Sequence, residues 1–118
     1  TSLLIFSTGF SDFDDYLDLV AMSQALIEGG GYAGQFQLAS FHPDYCFEGE
    51  APDDLSNYTN RAPLPILHVL RESSLDRVMR TYPDPENIPL RNIDKARQLG
   101  QMYWQQTLHR LNRPESKD

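Results

Sequence analysis

The chain has 118 residues, with 10 Lys+Arg against 17 Asp+Glu, a formal net charge of −7 and one cysteine, Cys46. This length fits a single α/β domain over residues 1–118, and an acidic balance excludes a phosphate-binding nucleic-acid surface, which needs clustered cations. One cysteine excludes an internal disulfide; with no long apolar run and no signal segment, the chain is expected to be cytoplasmic and not to contact membranes.

Thr1-Ser2-Leu3 has no initiator Met and enters a strand at once, which reads as a processed or truncated start. Leu3-Leu4-Ile5-Phe6-Ser7 is a short apolar run without alternation, as in a strand covered on both faces. A helix is expected next, with Ser11 as its capping hydroxyl and Asp12, Asp14 and Asp15 in the first turn. Its apolar stripe is Phe13, Tyr16, Leu17, Val20 and Ile27, and Gly29-Gly30-Gly31 ends it. A second strand follows at 36–41, with Phe36, Leu38 and Ser40 on one face. Strand, helix and strand together predict a β-α-β unit with parallel strands and a right-handed crossover.

Residues 42–63 hold Pro43, Gly49, Pro52 and Pro63 and show no periodicity, yet Tyr45, Phe47 and Tyr58 favour an ordered loop. Three C-terminal helices are expected after it. The first is Ile66-Leu67-His68-Val69-Leu70-Arg71 behind Pro65, and the second covers 74–82 with Ser73 and Asp76 as a capping box. The third is a long helix from Asn92 with Gly100 as its weak point, and 113–118 form a frayed tail. Two strands cannot make a sheet covered on both faces, so the sheet is expected to be incomplete. A missing N-terminal segment, another chain, or a strand hidden in 45–62 would complete it.

The candidate site lies where the second strand ends, the usual place for ligands in open parallel sheets. His42 and Asp44 are its candidate catalytic pair, the imidazole as acid/base and the carboxylate as orienter. The alternative is structural, with His42 capping a turn and Asp44 closing an Asx-turn. Tyr45, Asn57, Tyr58, Asn60, Arg61 and His68 are candidate ligand-binding residues. Arg61, the first cation in the chain, would clamp a small anionic ligand. Their alternative is an internal network that pins the loop. His68 and Glu72, four apart on the expected helix, could join His42 and Asp44 as metal ligands, but the spacing is not diagnostic and no metal is assigned. No cofactor is identified.

Residues 1–60 hold ten Asp+Glu and no Lys or Arg, while all ten basic residues lie in 61–118. Such a split favours packing of one half on the other, or on a second copy, and makes a homo-oligomeric assembly module the second functional reading.

Several segments carry a resemblance: Asp12-Phe13-Asp14-Asp15-Tyr16-Leu17, Leu38-Ala39-Ser40-Phe41-His42-Pro43-Asp44-Tyr45, Asn57-Tyr58-Thr59-Asn60-Arg61, Leu67-His68-Val69-Leu70-Arg71-Glu72 and Pro83-Asp84-Pro85-Glu86. On these the chain resembles the C-terminal portion of a bacterial family of uncharacterised proteins, known as a domain of unknown function. The resemblance implies a further α/β segment, with a Cys-Pro motif, before the position of Leu3. It also implies that Cys46 stands where the family more often has Gln, and it brings no reaction with it.

Overall fold

The computed structural model describes residues 1–112; the expected tail at 113–118 lies outside the described residues. In chain order the elements are β1 (Ser2–Ile5), α1 (Phe13–Gly29), β2 (Phe36–Phe41), a 3-10 segment (Leu55–Asn60), β3 (Ile66–Arg71), α2 (Glu72–Met79), a 3-10 turn (Pro85–Asn87) and α3 (Ile88–Leu111).

The three strands form one sheet in the order β1-β3-β2, and both pairings are antiparallel. The expected parallel β-α-β unit is therefore corrected: the fold is an α+β mix, with β3 lying between the two strands that were expected to be neighbours. The residues responsible are Ile66–Arg71, expected as the first of three C-terminal helices and found as the central strand. A six-residue apolar run after a proline suits either element, but this one alternates. Leu67 and Val69 fall on one face, Ile66, His68 and Leu70 on the other, and Ile66 and Val69 are β-branched. Pro65 stands just before the strand, where its missing N–H costs nothing in the ladder.

Leu38 and Ser40 pair with Val69 and Leu67, and Leu4 pairs with Leu67, so these side chains share the face toward α1. Leu67 is 3% exposed, and burial of such a side chain stabilises by about 1.5–3 kcal/mol. The opposite face carries Leu3, Ile5, Ala39, Phe41, Ile66, His68 and Leu70.

Helix α1 starts where its acidic turn predicts, but the cap is Asp12 rather than Ser11; the Asp12 carboxylate accepts from the Asp15 N–H at 3.0 Å. Of the expected stripe, Tyr16 is fully buried, whereas Leu17 is 40% exposed. The Tyr16 hydroxyl accepts from the Phe41 N–H at 3.0 Å and donates to the Ile66 carbonyl at 2.6 Å. Phe41 and Ile66 are direct cross-strand partners, so the phenol stands inside the last rung between β2 and β3.

Helix α2 follows β3 without a loop, and no side chain caps it, so the Ser73–Asp76 capping box is not formed. Helix α3 packs on the 3-10 segment more than on the sheet, and Ala96 is 2% exposed. At Gly100 the backbone takes φ 82, ψ 164, splitting α3 into two arms. This conformation is nearly confined to glycine. The Trp104 indole N–H donates to the Ala96 carbonyl at 2.9 Å and ties the arms together across the break.

Candidate functional site

The 42–61 loop is ordered by contacts that the sequence places within reach of one another. An aromatic chain fastens its start to α1: Tyr16 to His42 at 5.0 Å, His42 to Phe13 at 5.2 Å, Phe13 to Tyr45 at 5.3 Å and Tyr45 to Phe47 at 5.0 Å between ring centroids. Such pairs contribute about 0.5–1.5 kcal/mol each beyond burial.

His42 is fully buried and both ring nitrogens are engaged. Nδ1 accepts from the Asp44 N–H at 3.0 Å, so Nε2 carries the proton and donates to the Phe10 carbonyl at 2.9 Å. Phe10 has φ 58, an unusual value for a side chain of that size, and this turns its carbonyl toward the imidazole. The Asp44 group that orients the ring is thus its backbone amide. Its side chain is exposed.

Asn57 is also fully buried. Its carbonyl oxygen accepts from the Phe47 N–H at 2.9 Å, and its amide donates to the Ala51 carbonyl at 2.9 Å and the Pro52 carbonyl at 3.4 Å. Arg61 donates from Nε to the Tyr45 carbonyl at 3.0 Å and from a terminal nitrogen to the Pro52 carbonyl at 2.8 Å. Its guanidinium carbon lies 4.6 Å from the centroid of the Tyr58 ring, whose other neighbour is the stacked indole of Trp104 at 5.7 Å. Asn60 closes the free edge of β2: its amide donates to the Ser40 carbonyl at 2.9 Å, and its own carbonyl accepts from the His42 N–H at 3.1 Å. At the head of the 3-10 segment, Asp54 accepts from the Ser56 N–H at 2.9 Å. The neighbouring Ser56, whose amide donates to it, holds its carboxyl below the ordinary value of 3.8, and Arg97, 3.7 Å away, acts in the same direction.

These bonds bring His42, Tyr45, Asn57, Tyr58, Asn60 and Arg61 together as a framework that pins the loop. His68 is not among them. It sits mid-strand on β3, so the helical pairing with Glu72 falls away. It is the direct cross-strand partner of Ala39, and its Nε2 is buried with no hydrogen-bond partner.

At Ala39, the cross-strand partner of His68, the framework leaves a cleft of about 480 Å³. Ala39 and Phe41 of the sheet form one side, Phe47, Thr59 and Asn60 of the loop a second, and Pro89, Asn92 and Ile93 of α3 the third. It adjoins a hollow of about 220 Å³ by Tyr58 and Trp104 through Thr59 and Asn92, and one of about 420 Å³ by Asp94 and Arg97 through Phe47 and Ile93. The α3 residues are absent from the sequence-based site. Asn92 reads as a helix cap and Pro89 as connector, and no spacing links them to β2. Their convergence arises from packing alone.

Among the described residues no cluster of three or more His, Cys, Asp or Glu side chains could hold a metal ion. No helix among them is long and apolar enough to cross a membrane. The family model described as Protein of unknown function (DUF1415) matches residues 1–106. The chain belongs to this family. No curated protein and no solved structure matches the chain. The DUF1415 match covers β1 through most of α3, and so includes every wall of the cleft.

Proposed function

We propose that this DUF1415 chain binds a small ligand in the cleft between the sheet, the 42–61 loop and the first arm of α3. The observation that carries the reading is the placement of His68: an imidazole with one buried, unspent nitrogen beside Ala39, itself a cleft residue. Buried polar atoms without partners are uncommon and mark places where a ligand or water completes the bonding. The volume falls in the range of small-molecule sites, about 300–1,000 Å³. Phe41, Phe47, Pro89 and Ile93 suit an apolar body, while Thr59, Asn60 and Asn92 offer neutral hydrogen-bonding groups. No charged side chain lines this cleft. The Arg61 guanidinium already serves two loop carbonyls, so the ligand class moves from anionic to neutral and polar. If the chain is catalytic, His68 replaces His42 as the acid/base group, because His42 has no free nitrogen.

The test is a fragment screen read by chemical-shift mapping on the labelled chain. Hits that move the His68 ring and the Asn60 and Asn92 side-chain amides, and that fail to bind His68→Ala, support the reading. Hits that map elsewhere, or binding that survives His68→Ala, overturn it.

A further inference from the structure

Beyond the cleft, we infer that the adjoining hollow of about 420 Å³ between the 42–61 loop and α3 binds a small organic cation, a primary amine on a short apolar stem. The hollow shares Phe47 and Ile93 with the cleft, but it stands on its own residues and needs no ligand next door.

Charge selects the sign of the ligand. Glu48 and Glu50 of the loop and Asp94 of α3 line the hollow against a single cation, Arg97. That guanidinium pairs with Asp54, 3.7 Å away, in the only salt bridge among the described residues. Three carboxylates on the walls are thus left without a cation. All three residues are exposed, and water and salt screen exposed charges, so charge alone gives a preference and not a site.

Ser56 supplies what charge does not. It is 4% exposed, it lines the same hollow, and its Oγ is buried without a hydrogen-bond partner. Its backbone is already spent: the N–H donates to the Asp54 carboxylate at 2.9 Å, and the carbonyl accepts from the Thr59 hydroxyl at 2.9 Å. These bonds fix Ser56 in the 3-10 segment and leave only the hydroxyl to meet a ligand. An ammonium group brings three donors and no acceptor, which matches one hydroxyl oxygen among carboxylates.

Shape decides the kind of cation. Among the described residues no three His, Cys, Asp or Glu side chains converge to hold a metal ion, so the carboxylates stand around the hollow and not about a point. Phe47, Ile93 and the 60% exposed Leu90 give the rest of the wall an apolar surface. A metal ion has no use for that surface, whereas an alkyl or aryl stem does. The volume falls within the range of small-molecule sites, about 300–1,000 Å³.

The test is a chemical-shift titration of the labelled full chain at neutral pH with n-butylamine, using 1-butanol and butyrate as controls of the same length. Saturable shifts at the Ser56, Phe47 and Asp94 amides are expected for the amine alone. Ser56→Ala should weaken binding about tenfold, as expected for one lost hydrogen bond to a charged group. Glu50→Gln with Asp94→Asn should weaken it as well and remove most of its salt dependence. Ser56→Ala should also melt no lower than wild type, because its Oγ bonds to nothing in the chain. A lower Tm would mean that the fold already uses the hydroxyl, and this overturns the inference. So does butanol binding as tightly as the amine, or a titration that does not saturate by ~50 mM, which leaves water as the partner of Ser56. The cleft is scored at His68 and Asn92 and the hollow at Ser56 and Asp94, so either reading can fail alone.

Discussion

The Tyr16 hydroxyl separates Phe41 from its cross-strand partner Ile66, accepting from the one and donating to the other. It is the only side chain among the described residues that bonds to both β2 and β3, and it joins α1 to the end of the sheet where the cleft begins. Tyr16→Phe removes both bonds and leaves a partly buried amide and carbonyl without partners. The expected loss is about 1–3 kcal/mol, read as a shift in the urea midpoint with an unchanged slope.

The same residue gives an alkaline signature. Burial, the largest cause, pushes the phenol above its ordinary 10.0. Above pH 10.0 the unfolded chain therefore releases this proton before the folded chain does, and stability falls as pH rises until the folded phenol also ionises. Tyr16→Phe lacks this component. The stability gap between wild type and variant should narrow above pH 10.0, and a constant gap would contradict the assignment.

Asp54 gives the opposite slope. Its folded pKa lies below 3.8, so its contribution is complete above that value and disappears as pH falls through the lower folded one. Asp54→Asn keeps a competent helix cap but has no charge to lose. Acid unfolding of the variant should be less steep, and the two melting curves should converge at the acid end.

His42→Ala and His68→Ala should separate cleanly. The first leaves the Phe10 carbonyl and Asp44 amide unpartnered and opens a cavity among Phe13 and Tyr16, with an expected cost of about 3–5 kcal/mol. The second removes a ring nitrogen that bonds to nothing. His68→Ala should cost at least 1 kcal/mol less than His42→Ala in thermal or urea unfolding, since only packing is lost.

Gly100→Ala tests the break in α3. With φ at 82 and ψ at 164, an alanine costs about 1–3 kcal/mol if the break is retained. No neighbouring atom lies within 4 Å of the added carbon, so the cost is conformational and not steric. Far-ultraviolet dichroism should show unchanged helicity; an increase would mean the arms had fused.

Much of the local structure is legible in the sequence. Asp12 to Asp15 and the three glycines mark the ends of α1, and the Phe36, Leu38, Ser40 face of β2 is the face observed. The central strand is not, because six apolar residues after Pro65 satisfy helix and strand alike until the register with β1 and β2 is known. That one ambiguity changes the sheet from parallel to antiparallel. The loop residues fall together as expected, yet residue type cannot tell a binding site from a network, since both need directional polar groups. His42 and Arg61 show the difference: their partners are backbone atoms of Phe10, Asp44, Tyr45 and Pro52, and backbone partners leave no mark in composition.

The strand in the middle of the sheet is also the last of the three in the chain. β1 and β2 have no hydrogen bonds to exchange with each other, so these two strands remain unpaired with one another until β3 arrives. Pairing of these three strands begins when Ile66–Arg71 emerges, which then joins Ser2 to Val69 and Phe36 to Arg71. Long-range closure of this kind slows folding. Until it happens, the Leu-Leu-Ile segment and β2 are available to neighbouring nascent chains, so residues 66–71 set the interval during which this protein is open to aggregation.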